Sequence, residues 1–153
     1  MLLANVSAAR FLLKAKIPTL FRVHAAPAEE KLADLKAFLA ELGLRFPGKK
    51  VVSTEDYSTL LKLISHRPDA HLIQTVMLRS LSQAIYSPEN IGHFGLAFDA
   101  YTHFTSPIRR YPDLLVHRAI RHVLAKRKAK DFFYDRASIH RLGEHCSSTE
   151  RRA

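Results

Sequence analysis

Two hydroxyls and two arginines crowd into one short stretch of this chain, Thr105-Ser106-Pro107-Ile108-Arg109-Arg110-Tyr111, which runs directly into Pro112. Arginine presents a planar fork of N–H donors that matches phosphate oxygens, and serine and threonine add hydroxyl donors. Pro112 belongs in the first turn of a helix, where its missing N–H costs nothing. The arginines therefore stand at a helix mouth, where free backbone N–H groups and the positive dipole end favour an anion. Tyr101, Phe104 and Tyr111 supply ring faces on which unpaired bases can stack. These features together read as a grip on a phosphodiester backbone. The competing reading is a tight, proline-fixed turn whose arginines cap neighbouring carbonyls. Residue types leave both open.

The charge balance points the same way. Lys and Arg number 24 against 14 Asp and Glu, a formal net charge of +10 with a pI near 10. Such an excess favours a polyanion through counterion release, and nucleic acid is the commonest one. A basic protein that binds nucleic acid only non-specifically would show the same balance. No apolar run approaches the roughly 18 residues that cross a bilayer, and no membrane partner is expected. Nor does a basic segment precede an apolar one at Met1-Leu2-Leu3-Ala4-Asn5, so a signal peptide is not expected. A single cysteine, Cys146, excludes an internal disulfide and fits a reducing cytoplasm.

The elements that position the arginine stretch are mostly helical, with minor strand. Leu2, Val6, Ala9 and Leu13 fall at helical spacing and Pro18 closes that segment. Leu20 to His24 reads as a strand or extended link. A helix opening at Glu29 and Glu30 carries a Leu32, Leu35, Leu39, Leu42 seam and stops at Gly43. Phe46 to Val52, with Lys49 and Lys50, reads as a loop. Ser53-Thr54-Glu55-Asp56 resembles a capping box before a helix with Tyr57, Leu60, Leu61 and Ile64 inward. Pro68-Asp69 restarts the chain into a helix using Ile73, Val76, Met77, Leu81 and Ala84. After a turn from Ser87 to Gly92, the alternation of Phe94, Leu96 and Phe98 predicts a strand. A helix from Arg110 or Tyr111 buries Leu115, Ala119, Ile120, Val123 and Leu124 and ends in the basic run Lys126–Lys130. Asp135 caps a last helix with Ile139, Leu142 and Cys146 inward. That pattern is still running at Thr149-Glu150-Arg151-Arg152-Ala153, so the segment is expected to be part of something larger.

Other chemistry is thin. The nine histidines are dispersed, and the pairs His117/His122 and His140/His145 are five apart, poor geometry for sharing an ion on one helical face. No metal ligands are expected in this chain. Cys146 on an apolar face reads as a small core residue rather than a nucleophile, and Ser147 and Ser148 have no identifiable base. Asp113, just inside a helix, reads as a dipole-complementing or arginine-pairing residue. Asn5 and Arg10 either line a path for the polyanion or serve packing and surface roles.

The stretch from His93 to His117, HFGLAFDAYTHFTSPIRRYPDLLVH, resembles the signature of the ribonuclease II / ribonuclease R (RNB-domain) family. The resemblance extends to Leu3–Ala9, Phe21–His24, Gln74–Ser80, Ala84–Asn90 and His145–Ala153, in order and over essentially the whole chain. It is closer to the ribonuclease R branch around His103 and Pro112. The resemblance implies the helix-rich C-terminal portion of an α/β catalytic domain spanning residues 1–153. It implies processive 3′→5′ hydrolysis of single-stranded RNA to nucleoside 5′-monophosphates, with Mg²⁺ on clustered aspartates. It places Arg109 as the catalytic arginine at the scissile phosphate, stabilising charge that builds on the phosphoryl oxygens. Tyr101, Thr105, Ser106, Arg110 and Asn5 become candidate RNA contacts.

The departures matter equally. The family's aspartate cluster lies upstream of everything matched here, and Asp34, Asp56, Asp69, Asp99, Asp113, Asp131 and Asp135 are scattered. The Mg²⁺ ligands, and the flanking cold-shock and S1-type domains, are thus expected outside this chain, which alone is expected to be inactive. The alternative is a non-catalytic, basic helical RNA-binding module. Oligomeric state is not legible in the residues.

Overall fold

The computed structural model describes residues 1–48 and 51–152, so Lys49 and Lys50 of the expected loop lie outside the described residues. The architecture is mostly α with a two-stranded sheet. The chain divides into two compact units. One comprises Met1–His24, Ala84–His93 and everything from Ala97 onward; the other comprises Ala25–Gln83 with Phe94–Leu96.

The second unit is a three-helix cluster of α2 (Glu29–Glu41), α3 (Thr54–Ile64) and α4 (Ala70–Ser80). Gly43, at φ 70°, donates to Ala40 O and lets Leu44 N reach Leu39 O, ending α2 in a left-handed turn. The capping box forms as the sequence predicts. Asp56 N donates to Ser53 Oγ at 3.3 Å, and Ser53 N donates to Asp56 Oδ2 at 2.8 Å. Leu35, Leu39, Tyr57, Leu60, Ile64, Ile73 and Met77 make the core. Leu61 faces out instead, because α3 buries a narrower stripe than its apolar content allows. The Tyr57 hydroxyl is satisfied inside by Ser80 Oγ at 2.7 Å, and burial raises its pKa.

The first unit carries the arginine stretch. Its helices are α1 (Leu2–Ala15), α5 (Tyr111–Leu124) and α6 (Arg136–Arg152), and its sheet pairs β1 (Phe21–Val23) antiparallel with β2 (Ile85–Ser87). Helix α5 is the spine. Val116 and Ala119 pack against Ala8 and Leu12 of α1, while Leu115 joins Leu20, Tyr86, Ile139 and Cys146. On α1 it is Leu12 rather than Leu13 that is fully buried. Asp135 caps α6 as predicted, its Oδ1 accepting from Ser138 N at 2.7 Å.

Three expectations about the elements are corrected. Helix α4 ends at Ser80, since Leu81 turns extended, so Leu81 and Ala84 lie beyond it and the chain enters β2. The predicted strand over Phe94–Phe98 is a 3-10 turn, Phe94–Leu96. Gly92, at φ 78°, reverses the chain, and His93 and Phe98 exchange backbone hydrogen bonds at 2.8 and 3.3 Å, which closes a loop where the alternation implied an extended run. Helix α5 stops at Leu124, which is exposed, and the run Lys126–Lys130 lies past its end.

Helix α6 is pressed onto β2 at Gly143. A Cβ there would lie 2.8 Å from the Tyr86 carbonyl oxygen and 2.9 Å from Leu20 Cδ2. Ser147, one turn on, donates to Gly143 O at 2.8 Å and accepts from Tyr86 N at 2.9 Å, satisfying the strand's amide. Gly143→Ala gains about 1 kcal/mol in helix propensity but forces a backbone overlap costing roughly 1–3 kcal/mol. Thermal unfolding followed by circular dichroism is expected to show a lowered midpoint. An unchanged or raised midpoint would mean α6 does not approach β2 so closely.

Candidate functional site: the arginine loop at the mouth of α5

The loop from Tyr101 to Arg110 has no repeating structure, so its shape is set by side chains that reach in from the rest of the unit. Tyr101 O accepts from Arg22 N at 2.9 Å, continuing the edge of β1. Thr102 Oγ1 donates to Leu20 O at 2.6 Å. Asn5 of α1 accepts from Phe104 N at 3.2 Å and donates through Nδ2 to the Tyr101 hydroxyl at 2.9 Å. His117 stacks on Phe104 with ring centroids 4.4 Å apart, and its Nε2 lies 2.9 Å from Phe104 O.

The second half of the loop is held by one carboxylate. Asp113 is 0% exposed. Its Oδ1 accepts from Ser106 N at 2.8 Å and from Arg110 Nη2 at 2.8 Å. Ser106 O in turn accepts from the amides of Arg109 and Arg110 at 3.3 and 3.1 Å. A tight turn therefore runs from Ser106 to Arg110 with Pro107 and Ile108 at its tip, and the Ile108 side chain is fully exposed. Asp113 Oδ2 and Arg110 Nε are buried without a partner among the described residues, leaving the pair short of its full hydrogen-bonding capacity.

Arg109 and Arg110 have opposite fates. The Arg110 guanidinium turns inward to Asp113. That of Arg109 is exposed and makes no hydrogen bond or ion pair among the described residues. The Thr105 and Ser106 hydroxyls, half-buried beside it, also bond to nothing described. The sequence-predicted loop thus presents one unspent cation and two unspent donors.

Two of the expected contacts are buried. Tyr101 is only 6% exposed, its ring stacked on Phe98 and edge-on to His93 and His103, which leaves no face for a base. Asn5 is 4% exposed and both ends of its amide are occupied by Tyr101 and Phe104. Both side chains hold the loop from within. Arg10 ion-pairs with Asp99 at 2.7 Å on the surface.

A second layer went unread in the sequence. Arg22 clasps Glu150 through two bonds of 2.6 and 3.2 Å and lies 4.6 Å from the Tyr86 ring centroid. The Tyr86 hydroxyl lies 2.9 Å from His103 Nδ1. Burial, reinforced by the Arg110 and Arg22 charges, pushes His103 down to about 4, and burial pushes Tyr86 up to about 12. Burial, with the neighbouring His24 and Arg22 charges, also takes His93 to about 4. His103 and His93 are therefore neutral at physiological pH, and the positive field around the loop comes from arginine.

Among the described residues no group of three His, Cys, Asp or Glu side chains is placed to hold a metal ion. The described residues therefore do not fit Mg²⁺. His117 and His122 are each spent on a backbone carbonyl, of Phe104 and Lys128. Cys146 is buried and its thiol pKa is raised, the opposite of what a nucleophile needs. No described helix is long and apolar enough to cross a membrane.

The chain is similar to known proteins in sequence and in fold. The chain is 52% identical over 161 aligned residues to ribonuclease R of Escherichia coli, with all of the chain covered, and 49% identical over 162 to that of Vibrio cholerae. It spans 20% of the length of each of these curated relatives. Among solved structures, ribonuclease R of Mycoplasma genitalium in complex with ribose-methylated single-stranded RNA matches with a TM-score of 0.85 and 31% identity. That match covers 99% of this chain and 24% of the solved one. The family model described as the RNB domain matches residues 1–126. The chain belongs to the RNB-domain family.

Proposed function

We propose that this chain is the C-terminal portion of an RNB catalytic domain, supplying the arginine loop of a 3′→5′ exoribonuclease that hydrolyses single-stranded RNA to nucleoside 5′-monophosphates. The observation that carries the reading is the Arg109 guanidinium, unpaired among the described residues and displayed by a turn that the buried Asp113 holds in place. A cation fixed in this way is preorganised to meet charge developing on phosphoryl oxygens, and it pays little reorganisation at the moment of reaction. Thr105, Ser106 and the Arg110 side of the loop flank the same backbone. The relatives' name and the single-stranded RNA in a similar solved structure support the substrate class. Mg²⁺ belongs to the complete enzyme, on ligands outside this chain, and processivity with it. The reading includes a cytoplasmic enzyme, which the single, buried, free cysteine suits.

The rival, a basic RNA-binding module without chemistry, is separated from this reading by kinetics. In the complete enzyme Arg109→Ala is expected to lower kcat by about 10²–10³-fold, the usual loss for one preorganised donor, with RNA affinity little changed. Equal losses in both quantities would reduce Arg109 to an anchor. Mononucleotide release from labelled single-stranded RNA is the assay, and no release at all by the complete protein would favour the module.

Acid should loosen the loop's support. His103 has a folded pKa of about 4 against 6.5 when free, so the unfolded chain binds more protons between those values. Stability is therefore full above about pH 6.5 and lost as pH falls towards 4. The unfolding midpoint of His103→Gln, measured across that range, is expected to fall less steeply than wild type. Parallel profiles would place the acid sensitivity elsewhere.

A further inference from the structure

Helix α5 carries a second cluster of cations that the arginine loop does not use. Arg118 and Arg121 stand on its exposed side, and the chain past its end adds Lys126, Arg127, Lys128 and Lys130. None of these six makes an ion pair among the described residues. Between the helix and the returning chain lies a concavity of about 630 Å³, with Arg118, Arg121, Arg127, Phe132, Phe133 and Tyr134 on its wall.

The concavity is built rather than a loose basic tail. His122, 8% exposed, has its Nε2 2.8 Å from Lys128 O, and Phe132 packs edge-on to the His122 ring at 5.1 Å. These contacts fasten the returning segment at both ends. The Arg118 guanidinium donates to the Tyr134 hydroxyl and lies 6.0 Å from the Tyr111 ring centroid. Phe133, so held, is 87% exposed, its ring edge-on to Tyr134 at 4.9 Å. A phenylalanine left in water forgoes the gain of burial, and here it does so on the same wall as three guanidiniums.

We propose that this pocket is a second RNA contact, taking an unpaired nucleotide whose base stacks on Phe133 and whose phosphate lies between Arg121 and Arg127. Single-strand binders combine a cationic track with exposed rings because every base offers a π-face. An acidic peptide would satisfy the arginines but gain nothing from a flat exposed ring. Asp131, which also lines the pocket, is an acceptor for a base N–H such as uracil N3–H. The inference shares its substrate class with the function proposed above but does not depend on the role of Arg109.

The test uses the complete enzyme and two oligouridylates, one long and one just sufficient to be hydrolysed. A 4-thiouridine-bearing long strand is expected to crosslink to the peptide containing Phe132–Tyr134. Phe133→Ser should abolish that crosslink and Phe133→Tyr should retain it. Arg121→Glu with Arg127→Glu should raise KM for the long strand at least about five-fold, the scale of one stacked base, with turnover of the short strand preserved. The proposal is overturned by absence of the crosslink, by an unchanged long-strand KM, or by equal loss on both substrates. It is also overturned if polyglutamate displaces RNA from wild type and from Phe133→Ser alike, which would mark an acidic protein as the occupant. Should Arg109→Ala leave kcat intact while the crosslink persists, the function proposed above fails and this pocket stands.

Discussion

A carboxylate with no exposed surface must be paired, because an isolated buried charge costs several kcal/mol even after relaxation. Asp113 meets that demand through Ser106 N and the Arg110 guanidinium, which lie on either side of the Pro107–Arg109 tip. One oxygen thus ties the start of the turn to its end. The position helps: Asp113 sits in the first turn of α5, where the positive dipole end favours an anion. The charge, the turn and the helix start are mutually dependent. Removing Asp113 would leave Arg110 half-buried beside nothing and free the turn that displays Arg109.

That arrangement is only as firm as α5 itself. The helix is clamped on one side by α1 through Ala8 and Leu12, and on another by the layer of Leu20, Tyr86 and Ile139. Gly143 lets α6 close that layer, and Ser147 settles the Tyr86 amide beneath it. Between layer and loop stand Arg22, Glu150, Tyr86 and His103, a polar seam in which the charged members are paired and the histidine is neutral. Neutrality there has a purpose in electrostatic terms. A protonated His103 would add a cation near Arg110 and Arg22, which already repel it.

How much of this was legible follows the range of the forces involved. Local signals read well: the Ser53–Asp56 capping box, the Gly43 stop, the Asp135 cap and the Pro112 helix start each depend on a few neighbouring residues. Periodicity misled where a short apolar alternation met a reversing glycine, since Phe94–Phe98 alternates like a strand but Gly92 turns it back. At the site, the arginine loop and the pairing tendency of Asp113 were visible from residue type. The burial of Tyr101 and Asn5 was not legible, because an exposed ring and a buried hydrogen-bonded one have the same letter; the contact between them spans 96 residues. The Arg22–Glu150 clasp, spanning 128 residues, leaves no trace in local pattern.

The adjacency of Arg109 and Arg110 then acquires a physical meaning that a count of basic residues misses. Arg110 holds an extended conformation, φ −129° and ψ 117°, just before α5 begins. Arg109 still belongs to the turn whose amides bond back to Ser106 O, whereas Arg110 has left it, and the two side chains depart differently: Arg110 reaches Asp113 and Arg109 stays exposed. The inward guanidinium serves the carboxylate from a half-buried position through one N–H, and the outward one must stay unpaired to be of use to a phosphate. A single arginine could not do both. The doublet is a division of labour, one guanidinium holding the turn through Asp113 and its neighbour displayed by that turn.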